Sequence, residues 1–260
     1  MSKFAIEINK LSFSYAKKDT ILKNISFSLE PGGVLTILGP NGSGKTTLLN
    51  CILKNVTTYD GNITLFGKDL TQYSSKEFAS KVAYVPQLSQ LNFDYTVEEF
   101  VLMGCNPHKQ FFAQPTSEDY RIVEQNLRRL DLFDKKNNIM RQISGGERQL
   151  AYIARALTQE PQMIIMDEPT SALDYSNQYK VIKILKSLSG QGYTVVLTSH
   201  NPEYAYMLDG HVAMLYKGAK FLYGTVEEMM TEYNLSDMYK TKIKVKYVPE
   251  YDMHMCIRID

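Results

Sequence analysis

The strongest constraint on this chain lies in one stretch near its start. A short apolar run, Val34-Leu35-Thr36-Ile37-Leu38, leads into Gly39-Pro40-Asn41-Gly42-Ser43-Gly44-Lys45-Thr46, and a helical pattern opens at Thr47. The run has the length and composition of a strand buried on both faces. The glycines permit backbone conformations closed to other residues, so successive N–H groups can turn toward one point. The helix behind them adds the positive end of its dipole. The pattern GxxxxGK[ST], set between a strand and a helix, is one that cradles the phosphates of a nucleotide. Lys45 would neutralise the β- and γ-phosphates, and the Thr46 hydroxyl would sit on Mg²⁺.

The flanking patterns fit a sheet with crossover helices. Residues 4–8 and 11–15 alternate as strands do, and so do Ile25, Phe27 and Leu29. Pro31-Gly32-Gly33 and Asp60-Gly61 are turn signals, the second leading into a strand at 62–66; another strand is expected at 82–85. From about 88 to 142 the period is mainly helical. Thr96 can cap one helix, with Glu98 and Glu99 near its positive end; Ser117 can cap a second, with Ile122, Val123, Leu127 and Leu130 on one face. Strand and helix then alternate: strand 163–166, helix 177–188, strand 195–198, and a hairpin of 211–216 with 221–223 across Lys217-Gly218. The expected fold class is α/β: a P-loop NTPase core of mostly parallel sheet, an N-terminal antiparallel β part and an inserted α-helical subdomain. The expected division is a nucleotide-binding core of 1–86 and 158–240, a helical subdomain of 87–157 and a C-terminal tail of 241–260.

Composition narrows the function classes. With 260 residues, 44% hydrophobic and 22% charged, the chain can bury a core and is not disordered. Its net charge of +1 makes no electrostatic case for a nucleic-acid partner. The cysteines, Cys51, Cys105 and Cys256, form neither a CxxC pair nor a disulfide framework, which fits a reducing compartment. No apolar run is long enough to span a bilayer, and the first ten residues read as strand rather than signal peptide. A cytoplasmic protein is expected, reaching a membrane only through a partner.

Two further motifs carry chemistry. Met163-Ile164-Ile165-Met166 is an apolar strand that delivers Asp167 and Glu168 to its C-terminal edge, where ligands bind in open α/β sheets. Asp167 would hold Mg²⁺ through water, and Glu168 could act as general base on the attacking water. Ile143-Ser144-Gly145-Gly146-Glu147-Arg148-Gln149 has capping-box spacing between Ser144 and Glu147. Its two glycines also bare N–H groups at a helix start, which makes a second anion-binding surface.

Taken in order, these motifs resemble the ATP-binding subunit of an ATP-binding cassette (ABC) transporter. They are Tyr15, the loop 39–46, Gln87, Ser144-Gly145-Gly146-Glu147, Asp167-Glu168, Ser171-Ala172-Leu173-Asp174 and His200, and the resemblance covers about residues 4–239. It implies that Tyr15 stacks on adenine and that the loop, with Thr47, binds the phosphates of ATP. Gln87 would contact Mg²⁺ and the attacking water and couple the site to a membrane partner. His200 would contact the γ-phosphate, and Asp174 would lie at a dimer interface. It further implies two ATP molecules in a head-to-tail dimer, with Ser144, Gly145 and Gly146 acting in trans on the second copy and Glu147 among the nucleotide-binding residues. Two positions depart from the family's usual pattern: Ile143 stands where Leu is common, and Asn201-Pro202 follow His200 where many importers have Asp.

The segment Phe100-Val101-Leu102-Met103-Gly104-Cys105-Asn106-Pro107-His108 resembles importers of metal chelates, which carry iron-siderophore complexes, haem, vitamin B12 or oxyanions such as molybdate. That resemblance implies an energy-coupling ATPase at the cytoplasmic face of the cell membrane. Its partners would be integral-membrane permease subunits, a second cassette and, through the permease, a solute-binding protein. The alternatives are an exporter subunit or an ATP-switched soluble interaction module. Residues 97–103 and the following loop would face the permease, with Phe111 and Phe112 either exposed there or packed inside the helical subdomain. Outside the motifs, 242–248 reads as a charged edge strand whose lysines could meet anionic lipid. Met253-His254-Met255-Cys256 holds soft-metal ligands that alternation would split between two faces. Arg128-Arg129 and Lys135-Lys136 read as solvated charges.

Overall fold

The computed structural model describes residues 3–15, 20–87, 94–108 and 114–259, the side chains of 106–108 excepted; Phe111 and Phe112 lie outside the described residues. It divides into two compact units, Met1–Gln72 with Ile182–Asp260, and Tyr73–Val181. The elements in chain order are β1 Ile6–Ser14, β2 Thr20–Leu29, β3 Val34–Leu38, α1 Lys45–Ile52, β4 Asp60–Leu65, β5 Lys68–Asp69, α2 Ser75–Lys81, β6 Val82–Val85, α3 Val97–Leu102 and α4 Ser117–Arg129. They continue with α5 Gly145–Thr158, β7 Met163–Met166, α6 Tyr175–Gly190, β8 Thr194–Ser199, α7 Glu203–Leu208, β9 His211–Leu215, β10 Phe221–Thr225, α8 Val226–Met229, α9 Glu232–Tyr239, β11 Ile243–Val248 and β12 Met253–Arg258. The fold is α/β, with an N-terminal antiparallel sheet and a helical insert.

In the first unit, β2, β1, β4 and β5 form the antiparallel sheet. The alternation at 4–8 and 11–15 is one strand rather than two. Lys10 takes a left-handed φ of 52° and the register shifts between Ile8 and Leu11. Serine hydroxyls accept the displaced N–H groups: Lys10 N–H donates to Ser26 Oγ and Asn24 N–H to Ser12 Oγ, both at 2.9 Å. The Asp60-Gly61 turn expected before β4 is instead part of the strand, opposite that bulge. A second set of strands has β3 parallel to both β8 and β9, with β10 antiparallel to β9. Every residue of β3 and β8 is buried, as strands covered on both faces require.

The C-terminal segment shares this unit's core. Leu235, Met238 and Ile243 join Leu38, Ala205, Val212 and Met214 in one cluster, and Val245 and Cys256 pack against it. Alternation does split the 253–256 stretch: Met253 and Met255 are exposed, while His254 stacks on Tyr206 at 4.4 Å between centroids.

In the second unit, β6 and β7 pair in parallel, Val82 opposite Met163 through Val85 opposite Met166. α3 and α4 pack on α5. Thr96 caps α3 in a capping box with Glu99. The cap of α4 is Thr116, not Ser117: its hydroxyl accepts from the Asp119 N–H, and Asp119 returns the bond to the Thr116 N–H. Val97, Phe100 and Val101 turn into this unit instead of outward, with the Phe100 ring edge-on to Tyr152 at 4.8 Å. Nor is Arg128 simply solvated, since its guanidinium lies 3.5 Å from the Phe133 ring centroid as well as pairing with Glu124.

Candidate active site

The first unit holds the phosphate-type loop, Tyr15 and His200. β3 and β8 run in register, with Leu38 opposite Ser199, so Gly39 and His200 leave the same sheet edge. A side chain at Gly39 would put its Cβ 2.4 Å from the Leu215 carbonyl oxygen. Gly44 has φ +101°, and its Cβ would fall 2.9 Å from Ile21 Cγ2, so the loop is backed closely by β2. Lys45 is 6% exposed; its ammonium donates to the Gly39 carbonyl at 2.8 Å and the Pro40 carbonyl at 3.4 Å, which curls the loop around it. The Ser43 hydroxyl is buried with no hydrogen-bond partner among the described residues. Gly44 stands at the cap of α1, so the helix start has no side-chain cap. A buried ammonium, a buried unpartnered hydroxyl and a helix start with no side-chain cap together fit a polyphosphate.

Thr46 is exposed at the start of α1, and Thr47 is buried. Tyr15 stands 45% exposed, with its ring edge-on to Phe13 at 4.7 Å. His200 is exposed, and its backbone carbonyl accepts a hydrogen bond from the Tyr239 hydroxyl at 2.8 Å. Asn201 has a local reason to be there: its amide oxygen accepts the Glu203 N–H at 2.9 Å, and so turns the chain into α7.

The second unit holds Gln87, the signature Ser144-Gly145-Gly146-Glu147, the acidic pair Asp167-Glu168 and Asp174. The β6–β7 register brings Gln87 and the acids to one edge, and the Asp167 N–H donates to the Val85 carbonyl at 3.0 Å. Gln87 Nε2 donates to Ser171 Oγ at 3.2 Å, and that hydroxyl donates to the Glu168 carbonyl at 3.1 Å. Glu168 itself adopts φ +45°, a left-handed conformation uncommon outside glycine. Asp167 is 6% exposed; Tyr84 nearby is pushed up to about 12, by burial first and by the Asp167 charge second.

The signature helix α5 starts in the capping box that the spacing announced. Ser144 Oγ accepts from the Glu147 N–H at 3.2 Å, and Glu147 accepts from the Ser144 N–H at 2.8 Å. These bonds, the Ser144 N–H first among them, hold the Glu147 carboxyl below the usual range. Gly146 abuts Asn177: a Cβ there would lie 2.4 Å from Asn177 Cγ. Asn177 in turn is fixed by Asp174, with its N–H on Oδ1 at 2.9 Å and its Nδ2 on Oδ2 at 2.8 Å. The Asn177 N–H and amide hold the Asp174 carboxyl below its usual value. Gly146, Asn177 and Asp174 are thus one packed contact.

Among the described residues no group of His, Cys, Asp or Glu makes a metal cage by itself. The Thr46 hydroxyl in the first unit and the buried Asp167 carboxylate in the second are each of the oxygen-donor type that hard divalent cations take, with phosphate and water completing such sites. Sequence reasoning missed Ser171 as a bridge, Asn177 and Tyr239. Asn177 stands three residues after the helix-capping Asp174, a spacing that could have flagged it; Tyr239 had no local signal.

The family model described as ABC transporter matches residues 22–171. The chain belongs to the ABC transporter family. It is 36% identical over 92% of its length, and 94% of the relative's, to a probable iron chelatin transport ATP-binding protein of Helicobacter pylori. It is 34% identical to the molybdate import ATP-binding protein MolC of Haemophilus influenzae, covering 90% of this chain and 88% of that one. A solved structure of a protein assigned to the metal-chelate type of ABC transporter, in an inward-facing conformation, superposes with a TM-score of 0.87 at 32% identity, covering 99% of this chain and 98% of that one. The cassette is an ATPase whose hydrolysis is coupled to transport.

Proposed function

We propose that this cassette hydrolyses ATP to drive import of a metal chelate: an iron-siderophore complex, haem, cobalamin or an oxyanion such as molybdate. It would do so from the cytoplasmic face of the membrane, bound to integral-membrane permease subunits that receive cargo from a solute-binding protein. The observation that carries this reading is the similarity to iron-chelate and molybdate import proteins over nearly the whole chain. Among the described residues no helix is long and apolar enough to cross a membrane, so a pathway would come from other subunits.

The residues divide the chemistry. Tyr15 offers an exposed ring to the adenine. The loop amides, Lys45 and Thr47 bind the phosphates, Lys45 exchanging its bonds to Gly39 and Pro40 for phosphate oxygens. Mg²⁺, held by Thr46, Asp167 and Gln87, would supply charge neutralisation for the phosphates. Glu168 accepts the proton of the water whose oxygen attacks the γ-phosphorus as the bond to ADP breaks. His200 steadies the γ-phosphate. The Ser144, Gly145, Gly146 and Glu147 start of α5 serves the nucleotide of a second copy, and Asp174 lies at the contact between copies.

The test is a pull-down from native membranes using Glu168→Gln with ATP and Mg²⁺, read by mass spectrometry and by size-exclusion mass. The expected result is an ATP-dependent dimer that recovers a polytopic permease and its solute-binding protein. Recovery of soluble proteins alone, or an oligomeric state indifferent to ATP, would overturn the import reading.

A further inference from the structure

The short link between β8 and α7, which carries His200, is held by hydrogen bonds from within and from a distant helix. Ser199 Oγ accepts the Asn201 N–H at 2.9 Å, and Asn201 Oδ1 accepts the Glu203 N–H at 2.9 Å. Both bonds arise within the link and its flanks; the first spans His200 and the second lies after it. The bond to His200 itself comes from 39 residues away: the Tyr239 hydroxyl, at the last position of α9, donates to the His200 carbonyl at 2.8 Å. Burial pushes the Tyr239 phenol above its usual range, so the hydroxyl stays a donor at any working pH.

Tyr239 is itself anchored. It packs on the cluster of Leu38, Ala205, Leu235, Met238 and Ile243, along with Val245 and Cys256 of the terminal hairpin. The hairpin returns to the same link, where the Cys256 N–H donates to Glu203 Oε1 at 3.3 Å. The His254 ring lies flat against Tyr206 of α7, with 11° between planes. The segment 232–258 therefore grips the His200 link from both ends: Tyr239 at His200, and β12 at α7.

We propose that Tyr239 is a positioning residue for His200, and that α9 with the β11–β12 hairpin is the strut that holds it in place. Tyr239 pins the backbone carbonyl of the residue from which the exposed imidazole projects. The inference rests on the assignment of His200 to the γ-phosphate.

The experiment compares full-length wild type, Tyr239→Phe, His200→Ala and the double variant in steady-state and single-turnover ATP hydrolysis, with thermal unfolding alongside. Tyr239→Phe removes one oxygen and leaves the packed ring. If one hydrogen bond of ordinary net strength is expressed in the rate, kcat falls about three- to tenfold. KM for ATP stays near wild type and Tm falls by no more than a few degrees, whereas a merely structural role would lower Tm and leave kcat per folded molecule unchanged. In the His200→Ala background the tyrosine substitution has no further effect, because its target is gone. If His200→Ala abolishes turnover while Tyr239→Phe leaves kcat unchanged, or if the two losses multiply, the positioning role is overturned. If His200→Ala turns over like wild type, it is the assignment of His200 that fails.

Discussion

Two adjacent glycines at the start of α5 should respond oppositely to the same substitution. An alanine Cβ at position 146 would lie 2.4, 2.5 and 2.6 Å from Asn177 Cγ, Oδ1 and Nδ2. Carbon contacts settle at about 3.5–4.0 Å, so the overlap is about 1 Å. The Asn177 amide cannot simply swing away, because it is bonded to Asp174 at 2.8 Å. Giving up that bond costs about 1 kcal/mol; keeping it and shifting α5 costs about 1–3 kcal/mol of overpacking. Against either stands the helical gain of alanine over glycine, at most about 1 kcal/mol and smaller in a first turn. At position 145 the added Cβ meets only the Ala172 carbonyl at 3.7 Å, an ordinary contact. Gly146→Ala should therefore destabilise by about 0.5–2 kcal/mol and Gly145→Ala should be neutral or slightly stabilising. The assay is urea unfolding followed by circular dichroism, since the chain has no tryptophan. Turnover is not the readout, because both glycines are assigned to phosphate binding. In an Asn177→Ala background the obstacle is gone and Gly146→Ala should lose its penalty. Equal midpoints for the two single variants, or an undiminished penalty in that background, would refute the argument.

Other perturbations follow from the same geometry. Gly44→Ala meets both a φ of +101° and the Ile21 methyl at 2.9 Å; thermal unfolding should show a lower Tm and loss of the upward shift that ATP gives wild type. At Glu168, with φ +45°, Glu168→Gly should hold or raise Tm while abolishing turnover, whereas Glu168→Val, branched at Cβ, should lower Tm; the reverse order in a melting scan would remove strain from the account. Burial pushes the thiols of Cys51 and Cys256 from 9.0 up to about 11. At pH 7.5 both should react with a disulfide reagent far more slowly in the native protein than in urea. Because unfolded thiols ionise first, their contribution to stability is complete below pH 9.0 and lost as pH rises through about 11, which denaturation midpoints across that window would reveal.

What the sequence made legible was whatever local chemistry spells out. The strands at 82–85 and 163–166 fall where their apolar runs predict, because strands this short and this buried admit little else. The cap at Ser144 was readable because a capping box needs only residues three apart. Thr116 was missed because Thr and Ser stand adjacent, and only the return bond from Asp119 separates them. The bulge at Lys10 escaped because alternation on each side of it is intact, and the repair comes from serines reaching across between β1 and β2. At the site, residue types were legible and their bearings were not. Nothing near Glu168 announces a left-handed backbone, and nothing near Tyr239 points to a carbonyl 39 residues away. Such features are settled by tertiary packing, which a linear pattern does not encode.

The bridge through Ser171 has a polarity. A serine hydroxyl has a single proton, and here it is committed to the Glu168 carbonyl, so its oxygen can meet Gln87 only as an acceptor. The loop after β6 and the loop after β7 are thus wired in series: disturbance of the Gln87 amide reaches the Glu168 backbone by reorienting one O–H. Glutamate at position 87 would present a second acceptor to that oxygen and draw the proton away from Glu168. A one-atom change on one loop would then be felt as a slackened carbonyl on the other. Alanine at 171 would cut the wire while leaving both ends in place. Whatever pushes on Gln87 thereby has a direct line to the backbone of Glu168, the residue proposed to accept the proton.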